Sequence, residues 1–572
     1  MKILLTAINA KYIHSNLAIF TLRASAQKYR DNIELAEFTI NNSKDYILEE
    51  IYKKHPDVLC FSCYIWNIDY VESVAREFHK ICPEVPIWLG GPEVSYEVES
   101  FLKEHDYIKG IVMGEGEITF REVCRHYEDG DISLENIDGI AMRKEDGSVF
   151  VAKPRGVMDM SEIPFCYDTM EDFSNRIIYY ESSRGCPFSC SYCLSSVDKS
   201  LRFRDLELVK KELKFFMDQK VPQIKFVDRT FNCNHKHAME IWKFIKENDN
   251  GVTNFHFEIS ADLINDEELD LISDMRPGLI QLEIGVQSTN EVTIKEIHRT
   301  MKLELLKKIV RRIQAGGNIH EHLDLIAGLP YEGYESFKKS FDEIYELKPN
   351  QLQLGFLKVL KGSYMFEHAK EYGIMYHDKA PYEVLKTNWL SFDEVLKIKQ
   401  VEEMLEVYYN SGQYEVTMKI LEPLFDSAFD MFQKLGEFYE VNGYFGMNHS
   451  RIRRCEIILE FISKNDELKA YSDIIEESLV YDLYYRENCK SRPSWAVDMK
   501  EFKHMTHRYC KNGKMSHVEP FHYEFPDKKT KSIERLPLRL DEPVWMLFHY
   551  DNRDPLDHQA FVERVEYLMP VK

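Results

Sequence analysis

The chain has 572 residues, a formal net charge of −23 and 44% hydrophobic residues. This length suits about three or four domains of roughly 150 residues each, with enough apolar residues for their cores. The acidic balance argues against a broad surface for nucleic acid or anionic membranes, although it does not exclude a local basic groove.

No run of 18 apolar residues occurs, so we expect no membrane-spanning helix. Residues 3–8 predict a first strand rather than a signal peptide, because polar residues follow them at once. Twelve cysteines in a chain of this length do not form a disulfide framework. We therefore expect a reducing, cytoplasmic setting.

Residues 1–145 alternate strand and helix signals. Strands are predicted at 3–8, 33–40, 58–62, 87–89 and 108–113, with helices at 17–29, 46–54, 71–81 and 119–127. This alternation predicts a doubly wound parallel sheet, in which ligands bind beyond the carboxyl ends of the strands. Polar and glycine residues follow those ends at Asn9, Ser62, Gly90-Gly91 and Gly114-Glu115. Such turns can approach a ligand closely or serve as ordinary turns.

Two further features of this region need separate interpretations. Cys60 and Cys63 form a C-x-x-C pair on a predicted strand, where alternation places them on opposite faces. We interpret them as buried apolar residues rather than metal ligands. His14 follows the first strand, and we expect it at the surface near the start of a helix.

Residues 146–175 are predicted to be a connector. Hairpin character around Glu145-Asp146-Gly147 spans residues 140–151, and residues 153–165 are rich in turn formers.

Three cysteines then stand in a C-x-x-x-C-x-x-C run at Cys186, Cys190 and Cys193. Four-iron clusters are normally held by four thiolates, so three local cysteines would leave one iron open, as at catalytic metal sites. A zinc knuckle or three buried thiols are the alternatives. Zinc usually takes four closed ligands, often as paired C-x-x-C units, and no second pair follows at suitable spacing. The run therefore favours a cluster.

Residues 176–385 contain six strand-then-helix units, which predict a partial parallel barrel. The strands are expected at 176–180, 223–227, 254–259, 279–285, 322–326 and 351–359. Functional residues of α/β barrels lie at the carboxyl ends of the strands. Polar or glycine residues occur near those ends at Asp228, Glu283, Gln287 and Gly328, although carboxylates there often form structural ion pairs.

The cysteine run and the order of these motifs resemble the radical S-adenosylmethionine superfamily across residues 176–385. In that family the open iron chelates the amino and carboxylate groups of S-adenosylmethionine. The resemblance implies cluster ligands at Cys186, Cys190 and Cys193, and contacts to S-adenosylmethionine from Tyr192, Asp228, Glu283, Gln287 and Gly328. Of these, Asp228 is expected near the amino group, and Tyr192 and Gly328 near the adenine.

The first unit, directly upstream, resembles the cobalamin-binding domain of one branch of that superfamily. The resemblance implies that Ser62, Gly90 and Gly91 line the groove for the cofactor's nucleotide tail, and that Gly114 and Glu115 belong to a matching turn. The Asp-x-His-x-x-Gly motif of many cobalamin proteins is absent. A bound cobalamin would therefore lack a histidine on its lower face; a degenerate domain that binds nothing is the alternative.

Residues 386–572 predict a mostly helical C-terminal domain. Helices are expected at 392–409, 414–441, 452–462 and 470–485, a strand at 517–525, an apolar run at 544–550 and a helix at 557–568. The region resembles an uncharacterised extension of some cobalamin-type members, and we expect it over the barrel mouth. His517, His522, Cys489 and Cys510 have spacings that fit no standard metal site.

The resemblance implies an enzyme with a 4Fe-4S cluster, S-adenosylmethionine and cobalamin, and a flavodoxin- or ferredoxin-like electron donor. Radical methylation of an unactivated carbon is the favoured reaction. The alternatives are cobalamin-dependent radical cyclisation or rearrangement, and a non-catalytic, cluster-containing RNA-binding protein. The sequence does not name the substrate.

Overall fold

The structure is a computed structural model that describes residues 1–167, 175–511 and 513–569. The chain forms a seven-stranded sheet, a six-stranded sheet and a helical C-terminal unit that carries a three-stranded sheet. The predicted connector includes residues 168–174, which lie outside the described residues. Within the described ranges, no helix is long and apolar enough to span a membrane.

The first sheet confirms the doubly wound prediction. Its strands are β1 (Ile3–Asn9), β2 (Ile33–Thr39), β3 (Val58–Ser62), β4 (Ile87–Gly90), β5 (Gly110–Val112), β6 (Ile140–Arg143) and β7 (Val149–Val151). Its helices are α1 (Leu17–Ser25), α2 (Lys44–Lys53), α3 (Ile68–Ile81), α4 (Val98–Glu104) and α5 (Glu117–Asp129). The order is β2-β1-β3-β4-β5-β6-β7, in which β1 to β5 are parallel and β6 and β7 are antiparallel.

Helices cover both faces of this sheet, so β1 is apolar along its length. Ile3 and Leu5 join one core together with residues of α1 and α5, whereas Leu4 and Ile8 join a second core with residues of α2 to α4. A parallel strand buried on both faces has this continuous apolar pattern. The predicted hairpin at residues 140–151 is β6–β7, and it extends the first sheet rather than forming part of a connector.

The second sheet confirms the partial barrel. Its strands are β8 (Ile177–Tyr180), β11 (Gln223–Phe226), β12 (Asn254–Ile259), β13 (Ile280–Gln287), β14 (His320–Ala327) and β15 (Gln351–Phe356), while β9 (Ser183–Arg184) and β10 (Arg202–Phe203) form a separate ribbon. The helices are α6 (Leu206–Asp218), α7 (His235–Glu247), α8 (Asp266–Ser273), α9 (Glu291–Glu296), α10 (Leu303–Gly316), α11 (Tyr334–Tyr345) and α12 (Tyr364–His368). The order is β15-β14-β13-β12-β11-β8, and every neighbouring pair is parallel.

The two faces of the barrel sheet differ sharply in polarity. One face carries fully buried apolar residues such as Ile224, Phe257, Leu282 and Leu323, which pack in the core shared with the helices. The alternate positions, on the concave face, are largely polar. We call six of them the lumen belt: Lys225, His256, Glu258, Glu283, His322 and Asp324. A closed barrel is usually filled by branched apolar side chains, so this face is unlike a packed core.

The C-terminal unit is mostly helical, as predicted. Its helices are α13 (Phe392–Leu405), α14 (Glu415–Leu421), α15 (Ala428–Val441), α16 (Arg451–Lys464), α17 (Ser472–Arg486) and α18 (Lys503–Tyr509). Its strands are β16 (Met375–Tyr376), β17 (Val384–Lys386), β18 (Ser516–Phe521), β19 (Val544–Arg553) and β20 (Ala560–Val565). The helix predicted at 557–568 is wrong, because β20 pairs antiparallel with β19, where its β-branched and aromatic residues fit a sheet.

The C-terminal unit contacts the barrel at its edge and at the amino ends of its strands. The Asn410 side chain donates to the Leu352 carbonyl at 2.8 Å and accepts from the Leu352 N–H at 2.9 Å, which covers the start of the edge strand β15. Gly278, before β13, lies against the Pro555 carbonyl. These contacts lie away from the mouth, where we had expected this unit. At the mouth end, β17 and the residues after it pack on the barrel: the Val384 N–H donates to the Leu357 carbonyl, and the Trp389 ring lies 4.4 Å from that of Tyr331 in the loop after β14.

Candidate active site

The three cysteines of the C-x-x-x-C-x-x-C run lie in one loop that follows β9. Cys186 and Cys190 are buried, and Cys193 is half-buried. Burial raises the pKa of the Cys186 thiol, and the nearby Cys193 and Cys190 raise it further, so the three sulfur atoms lie within electrostatic range of one another. The loop turns between the last two, since the Cys193 N–H donates to the Cys190 carbonyl at 3.2 Å.

The chemistry of the donor set bears on which metal the loop could hold. In the described part of the chain, no three His, Cys, Asp or Glu side chains lie close enough to hold a single metal ion. Zinc gathers its sulfurs around one centre at about 2.3 Å, whereas each thiolate of a four-iron cluster binds a different iron. Three thiols in one loop suit the ligand chemistry of such a cluster.

Asp228 supports the cysteine loop from below. Its carboxylate accepts from the Ser182 and Ser183 hydroxyls at 2.6 Å each and from the Ser182 N–H at 2.9 Å. Burial raises the pKa of Asp228 to about 6, although the serine hydrogen bonds oppose the shift. We predicted this carboxylate to contact a ligand's amino group. The structure buries it completely, and its carboxylate accepts from the two serines that precede Arg184, while the ligand contact stays a prediction.

Arg299 reaches the cysteine loop from the segment after β13. Its guanidinium lies 3.8 Å from the Cys190 sulfur and 3.2 Å from the Tyr192 hydroxyl, and it donates to the Gly285 carbonyl. The sequence analysis assigned it no role. A basic residue within a motif-rich segment was the available signal, but only the fold brings it beside the cysteines.

Two polar atoms beside this guanidinium have no protein partner. Arg299 Nε and Gln287 Oε1 are buried and make no hydrogen bond within the described residues. Their side chains are neighbours, because both approach Gly285. An unpaired buried polar atom is costly unless a ligand or water satisfies it. A donor and an acceptor next to the cysteines are complementary to an amino acid's carboxylate and amino group.

Glu283, also predicted to bind the ligand, lies in the lumen belt rather than beside the cysteines. Its carboxylate is 2.9 Å from Lys225 Nζ and 3.0 Å from His256 Nε2. Burial raises the pKa of Glu283, but the contacts to His256 and Lys225 outweigh burial and hold that pKa well below its usual range. The structure therefore brings together Cys186, Cys190, Cys193, Tyr192 and Gln287, while Glu283 stands four residues back along its strand.

The loop after β14 carries Gly328, whose φ is +88°. A Cβ there would lie 2.7 Å from a methyl group of Val384, so β17 covers this side of the glycine and requires its small size. Nearby, Glu332 joins the loops after β13 and β14, accepting from the Ser288 hydroxyl at 2.6 Å and the Ser340 hydroxyl at 3.0 Å. Burial raises the pKa of Glu332 to about 7. The sequence analysis missed this residue.

The carboxyl edge of the first sheet gathers three predicted cofactor residues. Ser62 and Gly90 are register neighbours at the ends of β3 and β4, and the Ser62 hydroxyl accepts from Asn16 at 3.3 Å. Gly91 has a φ of +118°, and a Cβ there would lie 2.4 Å from the Cys63 carbonyl. The glycine is therefore required by the packing of the strand ends themselves, which shapes the edge beside Ser62.

Glu115 faces the β9–β10 ribbon, whereas a Cβ on Gly114 would meet open space. The Glu115 carboxylate lies 2.6 Å from Arg202 and 3.8 Å from Arg184, both in that ribbon, and accepts from the Met158 N–H at 3.2 Å. The cofactor contacts that we expect from Glu115 and Gly114 stay predictions.

His14 lies between the two sheets. We had expected it at the surface. Its Nδ1 is 2.8 Å from the Tyr179 hydroxyl, and the Ser15 N–H donates to the Ile177 carbonyl at 3.3 Å. Desolvation, and then Lys11 and Lys225, lower the pKa of His14. The loop after β1 thus docks on the first barrel strand, and its imidazole is engaged there.

Cys60 and Cys63 lie on opposite faces, as predicted, because they belong to the two separate cores of the first sheet. Burial raises the pKa of Cys60 to about 12 and that of Cys63 further still, so both stay protonated thiols.

Three family models match successive parts of the chain. Residues 3–124 match the B12 binding domain, residues 180–344 match the radical SAM superfamily, and residues 370–536 match a family described as a protein of unknown function (DUF4080). The first match covers β1 to β5, the second covers β11 to β14 of the barrel, and the third covers most of the C-terminal unit.

Curated relatives and solved structures extend this likeness. The cobalamin-dependent radical SAM methyltransferase TokK of Streptomyces tokunonensis is 26% identical over 309 residues, covering 51% of this chain and 45% of TokK. The anaerobic magnesium-protoporphyrin IX monomethyl ester cyclase of Rubrivivax gelatinosus is 24% identical over 335 residues, covering 56% of this chain and 60% of the cyclase. The chain thus spans about half the length of these relatives.

The radical S-adenosylmethionine methyltransferase TsrM of Kitasatospora setae, solved with cobalamin and a [4Fe-4S] cluster bound, has a similar fold. It superposes with a TM-score of 0.55 at 16% identity, covering 67% of this chain and 79% of TsrM.

Proposed function

Because the chain joins a B12-binding domain to a radical SAM domain, we propose that it is a cobalamin-dependent radical S-adenosylmethionine enzyme that methylates an unactivated carbon. The observation that carries the proposal is the convergence of Cys186, Cys190 and Cys193 in one loop, with unpartnered Arg299 and Gln287 atoms beside it. When bound, the cluster and S-adenosylmethionine supply the hydrogen-abstracting radical, and cobalamin supplies the methyl group.

At the barrel mouth, the three thiolates would hold the cluster. Arg299 would pair with the carboxylate of S-adenosylmethionine and Gln287 would accept from its amino group, since Arg299 Nε and Gln287 Oε1 are buried beside the cysteines without protein partners. Tyr192 would pack at the adenine side, and the Gly328 loop would flank the same space. Asp228 keeps the cysteine loop in position through the two serines.

At the first sheet, Ser62, Gly90 and Gly91 would line the groove for cobalamin at the carboxyl ends of β3 and β4. We assign His14 to the contact between the two sheets, because its Nδ1 lies 2.8 Å from the Tyr179 hydroxyl. Glu115 keeps the two domains in register by its contacts to Arg202 and Arg184.

The reaction needs a low-potential electron donor, for which a flavodoxin- or ferredoxin-like protein is suitable. All twelve cysteines are free thiols, which suits a reducing compartment, and we place the enzyme in the cytoplasm.

The test is purification without oxygen from cells supplied with cobalamin, followed by metal and product analysis. We expect about four irons and about one cobalt per chain, as a single four-iron cluster and one cobalamin require. With its substrate, the enzyme should form 5′-deoxyadenosine and S-adenosylhomocysteine together. Deoxyadenosine without S-adenosylhomocysteine would contradict methylation and point to cyclisation or rearrangement. Absence of both products, with cluster-dependent RNA binding, would identify a non-catalytic protein.

A further inference from the structure

The lumen belt is a polar surface that the proposed chemistry does not use. Glu258, Glu283 and His322 are lateral neighbours across three adjacent strands, and Asp324 follows His322 on the same face. Neighbouring strands lie about 4.8 Å apart, so these side chains share one small space. Glu283 stands four residues from Gln287, which places the belt roughly 13 Å below the cysteine loop at about 3.3 Å per residue.

The belt is only partly satisfied by its own members. Glu283 is paired with Lys225 at 2.9 Å, and His322 Nε2 lies 3.1 Å from Asp324 Oδ1. His322 Nε2 and Asp324 Oδ1 are buried, and within the described residues neither atom makes a hydrogen bond. His256 Nε2, which lies 3.0 Å from the Glu283 carboxylate, is also buried without a hydrogen bond. Buried polar atoms left unpaired are costly, so this space suits a ligand with polar groups.

Glu258 is the belt residue with the most to gain from a ligand. Within the described residues it makes no hydrogen bond or ion pair, whereas Lys225 is taken by Glu283. Burial, and then the charge of Glu283, raise the pKa of Glu258 to about 7. Glu283 has Lys225 and His256 beside it and Asp324 has His322, whereas Lys225 and Arg229 act on Glu258 only from a distance. A cation placed beside Glu258 would relieve the repulsion among these carboxylates.

We propose that the lumen belt binds the substrate of this enzyme through a protonated amine held by Glu258, with Asp324 and His322 binding adjacent hydroxyl or amide groups. The name substrate rests on the proposed function, but the site itself stands on the geometry of the belt. A ligand without polar groups would leave these buried atoms unpaired.

The test measures binding by calorimetry to the full chain loaded with its cluster and S-adenosylmethionine. The probes are ethanolamine and glucosamine, each compared with its N-acetyl derivative, which keeps the hydroxyls but removes the charge. We expect at least one amine to bind, and at least tenfold more tightly than its acetylated form. Equal binding of both forms, or binding of neither amine, overturns the proposal.

Glu258→Gln keeps the size of the side chain and should weaken amine binding at least tenfold. Glu267→Gln, on the exposed surface of α8, is the matched control and should change nothing. Asp324→Asn is the second variant if Glu258→Gln does not fold, and it should weaken glucosamine more than ethanolamine. Unchanged amine binding in a folded Glu258→Gln chain also overturns the proposal.

The two proposals fail in different ways. If Cys186→Ala removes iron but leaves amine binding intact, the lumen site is independent of the cluster, as we expect. A wild-type chain that binds amines but cannot be loaded with a cluster would contradict the proposed function. The amine site would then remain as a binding site only. A chain that holds its cluster and cleaves S-adenosylmethionine, yet shows no preference for amines, would sink this inference alone.

Discussion

The two parallel sheets present their carboxyl edges to the same region, but they treat polar groups differently. At the first sheet, Glu37 accepts from Asn9 at 3.0 Å and from Arg176 of the barrel at 2.8 Å, so its carboxylate is satisfied within the protein. At the barrel, Arg299 Nε and Gln287 Oε1 are buried without partners. The first edge is therefore built largely for docking and shape, whereas the second is built to receive polar ligand groups.

Acidic residues near the strand ends of the two sheets need not have the same role. Glu115 and Glu283, both near strand ends, were predicted as ligand contacts from the family resemblance. Each turned out to have a basic protein partner, Arg202 in one case and Lys225 in the other. Charge at a strand end locates the functional edge, but only the partners decide whether that charge is available.

The largest expected effect comes from removing a cysteine of the barrel's cysteine loop. Cys186→Ala should reduce bound iron to below half and lower S-adenosylmethionine cleavage at least 100-fold, because a cluster ligand is lost. Iron analysis and 5′-deoxyadenosine formation measure this. Cys233→Ala and Cys60→Ala are matched cysteine controls that should keep full iron. Full cleavage activity in the Cys186 variant would refute the cluster assignment.

The next effect concerns Arg299, whose Nε has no protein partner. Arg299→Met should weaken S-adenosylmethionine binding about 10- to 100-fold while iron stays bound, since a buried charge contact is worth roughly 2 kcal/mol or more. Equilibrium binding of S-adenosylmethionine to the reconstituted enzyme measures it. Arg299→Lys should restore only part of the affinity, because lysine lacks the planar fork. A loss of iron in both variants would instead indicate that Arg299 supports the cluster loop.

On the first edge, glycine substitutions separate shape from cofactor contact. Gly91→Ala should cost about 2 to 3 kcal/mol of unfolding free energy and reduce bound cobalt, because its Cβ meets the Cys63 carbonyl in a left-handed conformation. Gly90→Ala meets Val112 at ordinary contact distance and should be tolerated. Denaturant unfolding and cobalt analysis test the pair. Equal cobalt in both variants would argue against a groove at this edge.

The smallest effect concerns pH. Because burial raises the folded-state pKa of Glu332 to about 7 from an ordinary 4.5, ionisation is disfavoured in the folded chain, and its contribution to stability falls between about pH 4.5 and 7. Glu332→Gln should remove this dependence. The difference in unfolding free energy between pH 8 and pH 5 should therefore be about 1 to 2 kcal/mol more favourable in the variant than in the wild type. Unfolding at both pH values measures it, and parallel pH profiles would contradict the assignment.

Much of the architecture follows from local pattern. Apolar strands buried on both faces, helices of regular spacing and glycine at strand ends were sufficient to predict both parallel sheets. The cysteine spacing was sufficient to predict the cluster loop, because three thiolates so close along the chain must lie close in space. The alternation that separates Cys60 from Cys63 is likewise a property of the strand itself.

Only the tertiary structure decided which charged groups are available. Asp228 is hydrogen-bonded to Ser182 and Ser183, and His14 is hydrogen-bonded to Tyr179. These contacts join residues that are far apart in sequence. The helix predicted at 557–568 became a strand because β19 offered it a partner. Arg299 beside the cysteines and the polar lumen belt emerge when the barrel curves, since pairing and burial depend on neighbours that no local pattern contains.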